Sequence, residues 1–272
     1  MASLERIFVY PVKSLGGIER RKTKICDEGL LWDRKWMLAD EDGKFITQRD
    51  FPILNQLKVE ELENEFLVID RESNFLLIPK NYGESEEKIV FKVIIWGAEF
   101  DAEIWEPYAS QWLSAYLDKR VVLVRMIDKN RIKKTEHWPT AFPVNFSDGY
   151  PIHIVNINSV KKVSEWCDEE IFPTQFRPNF LIHDLEAFEE DKIKSFIING
   201  QKFGIIKQCE RCIMSTIKPD EGTINKQPLA ALAKFRRDSN KVNFGIYAIP
   251  IPDNSQNYLD IEVNQKLEIE FT

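Results

Sequence analysis

Short apolar runs broken by turn-forming residues fill the first hundred residues, and this pattern constrains the fold more than any other feature of the sequence. Residues 7–10 end at a proline, and residues 36–38 end at a turn that contains Gly43. Two more pairs of runs flank short turns, residues 57–59 with 66–69 and residues 91–96 with 100–104. Paired runs of this length are typical of β-hairpins. The first hundred residues are therefore predicted to form antiparallel β-structure.

The rest of the sequence contains three segments with helical signals. Residues 106–117 repeat apolar side chains at the three-and-four spacing of an amphipathic helix. A second helix is expected to be capped by Asn158 or Ser159, and its apolar stripe is Val160, Val163 and Cys167. Pro228 suits the first turn of a third helix, whose inner face carries Leu229, Leu232 and Phe235.

Strands are expected between and after these helices. Residues 121–126 and 151–157 are predicted to be strands, and residues 261–263 with 267–271 are predicted to form a hairpin. Residues 127–147 combine a cluster of cations with Pro139 and Pro143, which indicates a long loop. The predicted fold class is mainly β (α+β), a β-barrel with helical decoration, and a domain boundary is predicted near residue 120.

Charge and composition exclude several classes of protein. The formal charge of -7 leaves no excess of cations for neutralising the phosphates of a nucleic acid. The N-terminus carries charges within its first six residues and lacks an apolar stretch with a cleavage site, so no signal peptide is predicted. No apolar run reaches about 18 residues, so no membrane span is expected. We expect a cytoplasmic enzyme or binding protein without nucleic-acid or membrane partners.

Cys209 and Cys212 form a Cys-x-x-Cys pair that has three interpretations. A structural zinc site needs four ligands, and the remaining cysteines and the histidines stand at no ligand spacing. A redox pair of the thioredoxin type needs a helix directly after it, and Pro219 follows too soon. The third interpretation is that the two residues are simply thiols beside a turn. This interpretation is favoured when the pair is considered alone.

A set of segments occurs in one order along the chain: YPVKS (10–14), DRKW (33–36), TQRDFP (47–52), FSDGYP (146–151), FRPN (176–179) and CERCIMSTIKPDEG (209–222). Together they resemble the MOSC family, in the form that joins an N-terminal β-barrel domain to a MOSC domain, as in the mitochondrial amidoxime-reducing component and its bacterial counterparts. The resemblance extends from about residue 4 to the C-terminus. It implies an N-terminal domain of residues 1–120 and a MOSC domain of residues 121–272.

The resemblance implies the molybdenum cofactor, a pterin that carries a dithiolene and a phosphate tail, with Cys212 as the thiolate ligand of the metal. A soft thiolate suits a sulfur-rich metal centre, and a neighbouring cation such as Arg211 would stabilise it. Cys209 is not expected to be a ligand.

The family pattern also implies the residues that contact the rest of the cofactor. Lys13, Ser14 and Arg34 correspond to residues that reach the phosphate and the pterin, since an arginine fork binds phosphate through two hydrogen bonds. Without the resemblance, these three would be interpreted as a strand end and a surface ion pair. Arg177 and Asn179 resemble a pterin-contacting pair.

Asp148 is expected to pair with the pterin or to transfer protons, which would make it catalytic together with Cys212. Gly149 and Tyr150 depart from the family pattern, which often has hydroxyl side chains there. Gly149 is nevertheless counted among the expected cofactor-binding residues.

The activity implied by the resemblance is reduction of N-hydroxylated compounds such as amidoximes, hydroxylamines and N-hydroxylated bases. The sequence contains no C-x4-C-x2-C iron-sulfur motif, so a separate electron donor is expected, of the ferredoxin, cytochrome b5 or flavin reductase type. The alternative is a carrier of the cofactor or an accessory protein of sulfur transfer without turnover of its own. A noncatalytic β-barrel interaction module is a third hypothesis.

Overall fold

The computed structural model describes residues 2–81, 88–252 and 258–272. Among the described residues, eleven strands precede the first α-helix: β1 (Ser3–Val9), β2 (Ile18–Arg20), β3 (Lys22–Thr23), β4 (Ile25–Cys26), β5 (Gly29–Leu30), β6 (Trp36–Ala39), β7 (Lys58–Glu61), β8 (Glu65–Ile69), β9 (Phe75–Pro79), β10 (Val90–Ile95) and β11 (Ala98–Ile104). Eleven more follow: β12 (Val122–Met126), β13 (Ile132–Thr135), β14 (Trp138–Pro143), β15 (Ile152–Asn156), β16 (Phe180–His183), β17 (Ile193–Ile198), β18 (Gln201–Glu210), β19 (Arg237–Asp238), β20 (Lys241–Ile251), β21 (Ile261–Glu262) and β22 (Leu267–Phe271).

Within the described ranges, the α-helices are α1 (Pro107–Leu117), α2 (Ile157–Cys167) and α3 (Leu229–Phe235). Short 3-10 helices cover Pro52–Gln56, Pro173–Phe176, Glu189–Lys192 and Ile213–Thr216. The prediction of a mainly β chain with three helices is confirmed.

The largest sheet has nine strands in the order β2-β1-β16-β15-β20-β18-β17-β22, with β19 paired to β20. Its pairs are antiparallel except that β15 and β16 run parallel. Along β1, Ile7 and Val9 join one buried cluster while Phe8 joins another, as expected for side chains that alternate between two covered faces. The second cluster also contains Val160 of α2 and Leu232 of α3. Helices α2 and α3 therefore cover one face of this sheet.

Two of the smaller sheets in the first half of the chain have more than two strands. One has the order β10-β11-β12-β6, and the other has the order β7-β8-β9. Trp36, Leu113 of α1 and Leu123 of β12 share a buried cluster. The two predicted hairpins are confirmed as β7-β8 and β10-β11, and the first helix is confirmed as α1.

The predicted loop over residues 127–147 is wrong, because this segment contains the hairpin β13-β14. Ile132 pairs with Pro143 and Thr135 pairs with Trp138, in a sheet of two strands. Proline is tolerated where a strand has a free edge, since no ladder hydrogen bond is lost there. The prolines and cations that indicated a loop are compatible with this two-stranded sheet.

The predicted C-terminal hairpin is also wrong. β21 pairs with β3, whereas β22 pairs with β17. The connection between them is attached to β1 instead, because Asn264 N donates to Leu4 O at 2.7 Å and Leu4 N donates to Gln265 O at 2.9 Å.

The helix caps differ in detail from prediction. Asn156 caps α2, since its side chain accepts a hydrogen bond from Asn158 N. Pro228 is the residue before α3, and Phe235 is 48% exposed although it stacks on Trp166.

Candidate functional site

All the residues predicted for the site line one cavity of about 130 Å³. They follow β1 and β18 or precede β6, β15 and β16, so both halves of the chain contribute to it. The predicted residues found there are Lys13, Ser14, Arg34, Asp148, Gly149, Arg177, Asn179, Arg211 and Cys212.

Three of these residues have a left-handed backbone conformation. The φ angles are 70° at Ser14, 49° at Arg34 and 53° at Arg177. Residues other than glycine seldom adopt this region, and the strain persists where the surrounding structure imposes it. Three such residues in one cavity indicate that the fold holds these side chains in fixed directions.

Tyr10 lies between two arginines. Its ring is 4.4 Å from the guanidinium carbon of Arg34 and 4.2 Å from that of Arg177. Arg34 donates to Asp33 Oδ2 at 2.6 Å and to Asn179 Oδ1 at 3.0 Å, while Arg177 Nη1 donates to the carbonyl of Leu15 at 2.7 Å. Burial lowers the pKa of Arg177 to about 10, which still leaves it charged at neutral pH.

The amide of Asn179 is occupied by contacts within the protein. Its Oδ1 also accepts from His153 N at 3.1 Å, and its Nδ2 donates to Phe8 O at 3.1 Å. Asn179 therefore joins β1 and β15 and holds the Arg34 side chain in position beside the cavity.

Asp148 forms the centre of an ion-pair cluster. Its Oδ1 accepts from Lys13 Nζ at 2.5 Å, and its Oδ2 accepts from Arg49 Nη2 at 3.0 Å. Burial disfavours the ionised carboxyl, but Lys13 and Arg49 outweigh this effect and hold the pKa of Asp148 well below its usual range. Burial lowers the pKa of Lys13 to about 8, although Asp148 opposes that shift. Asp148 is therefore a permanent anion near neutral pH, whereas Lys13 can exchange a proton.

The two cysteines of the pair have different surroundings. Cys212 is exposed and precedes the 3-10 helix Ile213–Thr216, whereas Cys209 is buried near the end of β18. The expected cation beside Cys212, Arg211, instead donates through Nη1 to Cys209 Sγ at 3.0 Å and through Nη2 to Phe176 O at 3.2 Å. The hydrogen bond to Cys212 Sγ comes from Arg49 Nη2, at 3.6 Å.

Gly149 gives space to a neighbouring aromatic ring. A Cβ atom at this position would lie 2.7 Å from Cζ of Tyr247, which is closer than van der Waals contact allows. The Tyr247 ring can therefore approach this closely because position 149 is a glycine and not a residue with a hydroxyl side chain.

The cavity has an excess of positive charge. Its cations are Lys13, Arg34, Arg49, Arg177 and Arg211. Asp148 and Asp33 pair with some of these cations, while the third nearby carboxylate, Glu210, pairs with Lys207 and Lys241.

Several buried donors of the cavity have no hydrogen-bond partner within the described part of the chain: Ser14 Oγ, Arg49 Nη1, Arg177 Nη2 and Arg211 Nε. Buried donors are normally satisfied. This donor set suits an anionic ligand.

Sequence reasoning missed Arg49, Tyr10 and Tyr247 as parts of the site. Arg49 lies in the segment TQRDFP, which contributed to the family resemblance but received no role. Tyr10 begins the segment YPVKS, whereas Tyr247 lies in β20 and no motif marked it.

Comparison with known families defines the class of protein. Residues 1–120 match the MOSC N-terminal beta barrel domain, and residues 142–269 match the MOSC domain. The chain belongs to the MOSC family, in the form with both domains.

Three individual relatives share between 25% and 28% of the aligned residues with this chain. The chain is 28% identical over 252 residues to the mitochondrial amidoxime reducing component 2 of Rattus norvegicus. The aligned region covers 87% of this chain and 73% of that protein. The chain is 26% identical over 265 residues to the human protein of the same name, covering 91% and 78%. It is 25% identical over 262 residues to the molybdenum cofactor sulfurase of Oryza sativa subsp. japonica, covering 89% of this chain and 32% of the sulfurase.

Within the described ranges, no group of three or more His, Cys, Asp or Glu side chains is arranged to hold a metal ion. No helix in the same ranges is long and apolar enough to cross a membrane.

Proposed function

We propose that this protein binds the molybdenum cofactor and reduces N-hydroxylated compounds with electrons from a separate donor. The observation that supports this most directly is the exposed Cys212 thiol, which lines the same cavity as five cations and several unpartnered buried donors. A thiolate ligand and an anion-binding pocket are the two features that a metal centre on a phosphorylated organic group requires.

The residues present fit this group. Cys212 would hold the metal, and the further ligands would come from the dithiolene. Ser14 and Arg177 offer unpartnered donors for the phosphate, with Lys13 and Arg34 beside them. The cavity of about 130 Å³ is smaller than the roughly 300–1,000 Å³ of most ligand sites, so the cofactor would extend beyond it.

When bound, the cofactor supplies the two-electron chemistry that cleaves the N–O bond. We propose that Asp148, as a permanent anion, orients Lys13 and Arg49 and does not act as a proton donor. Lys13 is better matched to proton transfer near neutral pH, because its pKa is about 8. Arg49 would hold the sulfur of Cys212 in position through its hydrogen bond.

The remaining parts of the proposal concern partners and substrates. The substrate class is amidoximes, hydroxylamines and N-hydroxylated bases, by analogy with relatives named amidoxime reducing components. The electron donor is proposed to be a ferredoxin-like, cytochrome b5-like or flavin-containing protein. The cytoplasmic compartment stays a prediction.

A cofactor carrier is the second candidate function. The observation that favours it is the match to molybdenum cofactor sulfurases, of which this chain spans about a third. A carrier would use the same cysteine and the same cations without turnover.

Metal analysis combined with a turnover assay tests these alternatives. The purified protein is expected to contain molybdenum and to reduce benzamidoxime when viologen reduced by dithionite supplies electrons. Molybdenum without turnover would support the carrier, and the absence of molybdenum from protein made by a cofactor-producing host would contradict both proposals.

A further inference from the structure

We infer that Trp96 and Phe45 form an aromatic shelf at the mouth of the cavity, which selects substrates whose N-hydroxylated group is attached to an aromatic ring. This inference rests on the proposed function and names a substrate class for it. Neither side chain belongs to a segment that carries the family resemblance.

The shelf is directly connected to the site. Trp96 Nε1 donates to Asp148 Oδ1 at 3.3 Å, and the guanidinium carbon of Arg49 lies 5.2 Å from the Trp96 ring. Arg49 also contacts Cys212 Sγ at 3.6 Å. One side chain, that of Arg49, therefore connects the indole to the proposed metal ligand.

The surface of the shelf is apolar and open. The rings of Phe45 and Trp96 lie 5.2 Å apart and line a groove of about 560 Å³ together with Ile94 and Gly97. A Cβ atom added to Gly97 would find no atom within 4 Å. Asp42 and Lys44 also line this groove, and Lys13 Nζ lies 5.6 Å from the Phe45 ring. A flat, uncharged ring with a polar group directed towards Asp148 and Arg49 matches this arrangement.

The turn that carries Trp96 is a poor place for a tryptophan. Trp96 and Gly97 are the two residues between β10 and β11, with φ angles of 51° and 80°. Two-residue turns with positive φ favour Asn-Gly, and a bulky residue in this region is strained. The side chain is also 60% exposed, so burial explains little of its presence. Strained and exposed residues of this kind tend to lie at functional sites.

The binding test compares two ligands that share the reacting group and differ in the ring. Calorimetric titrations of the cofactor-loaded protein without reductant use benzamidoxime and acetamidoxime. Trp96→Ala is expected to weaken benzamidoxime binding by about 2- to 12-fold, as an aromatic contact contributes, and to change acetamidoxime binding less than twofold. Trp96→Phe keeps a ring and is expected to retain most of the affinity for benzamidoxime.

Two further variants separate recognition from folding. Phe75→Ala removes an aromatic side chain that is 61% exposed on β9, and it is expected to alter neither ligand's binding. Trp96→Asn suits the turn, so it is expected to weaken benzamidoxime binding without lowering the melting temperature. Equal changes for both ligands, or unchanged benzamidoxime binding in Trp96→Ala, would overturn the inference.

The steady-state test distinguishes this inference from the proposed function. In turnover, Trp96→Ala is expected to raise KM for benzamidoxime with little change in kcat. An increase in KM for the electron donor alone would overturn the shelf in favour of protein docking. If the wild type discriminates between the two ligands but reduces neither, the shelf is supported while the proposed reduction fails.

Discussion

Cys209 and Cys212 are two thiols three residues apart that have different surroundings. Cys212 is exposed and lies beside Arg49, whereas Cys209 is buried and accepts a hydrogen bond from Arg211. Cys212→Ser is expected to abolish activity and to weaken metal retention, because the thiolate ligand is lost. Cys209→Ser is expected to keep most of both, as measured by molybdenum content and by viologen-dependent turnover.

Cys212→Ser and Cys209→Ser form a matched pair of variants. Both replace sulfur by oxygen at positions separated by Glu210 and Arg211. Equal loss of metal in the two variants would contradict the assignment and support paired ligands.

Lys13 gives the cavity a dependence on pH. Its pKa of about 8 means that the ammonium group is charged at pH 7 and mostly neutral at pH 9. For protein prepared without the cofactor, the affinity for sulfate is therefore expected to fall as pH rises through 8. The fall is about 10-fold if the lost bond contributes about 1.5 kcal/mol. Calorimetry at constant ionic strength measures it.

The control for this prediction is Lys13→Arg, because a guanidinium group stays charged through pH 9. This variant is expected to show a shallower dependence between pH 7 and 9. The same slope in both proteins would show that another group controls binding.

The sequence predicted which residues line the cavity, but it did not predict the directions of their side chains. Each residue that the segments indicated lines the cavity, since a motif fixes the chain position. The direction of the Arg211 side chain depends on contacts with Phe176 and Cys209, which no local pattern encodes. The role of Arg49 likewise depends on a contact across 163 positions of the chain.

The β13-β14 hairpin lies where sequence reasoning predicted a loop, and it supports the loop that carries Asp148. Arg131 donates to Asn145 O and Ser147 O at 2.7 and 2.8 Å, and Lys133 donates to Gly149 O at 2.6 Å. The same cations indicated a loop in the sequence, because their partners are backbone carbonyls that a pattern of charges does not reveal.

Gly204 of β18 leaves room for the Trp138 ring of this hairpin. A Cβ atom at Gly204 would lie 2.3 Å from the Trp138 ring, so Gly204→Ala must displace that ring. Overpacking costs about 1–3 kcal/mol, and a value near 1 is expected because the hairpin can move. Hydrogen exchange of residues 132–143 is expected to increase. Lys202→Ala, at an exposed position of β18, is the control, and equal exchange in both variants would contradict the prediction.

The sheets cross the proposed boundary at residue 120 in both directions. β1 lies in the nine-stranded sheet beside β16, whereas β12 lies in the sheet of β6 and β11. The hairpins were predictable because their contacts are local. The pairing of β21 with β3 was not, since it joins residues more than 230 positions apart. The division into residues 1–120 and 121–272 stays a proposal.

This interleaving predicts how the whole chain unfolds. Arg177 binds Leu15 O, Asn179 binds Phe8 O, and Lys13 binds Phe146 O, so each half completes hydrogen bonds of the other. Separate unfolding of one half would break these hydrogen bonds, at a net cost of about 0.5–1.5 kcal/mol each, and would expose apolar side chains that the two halves bury together. We expect one cooperative transition, in which far-ultraviolet circular dichroism and tryptophan fluorescence change together.

The coupling between the two halves can also be tested by loading the cofactor and by one substitution. A ligand that binds only the folded chain stabilises it by RT ln(1 + [L]/Kd), so loading is expected to raise the single midpoint without dividing the transition. Arg177→Met is expected to lower the midpoint and to reduce the gain from the cofactor, because this residue contacts both halves and lines the cavity. Two resolved transitions in the wild type would mean that the halves are independent, and the cavity would then have to assemble after each half has folded.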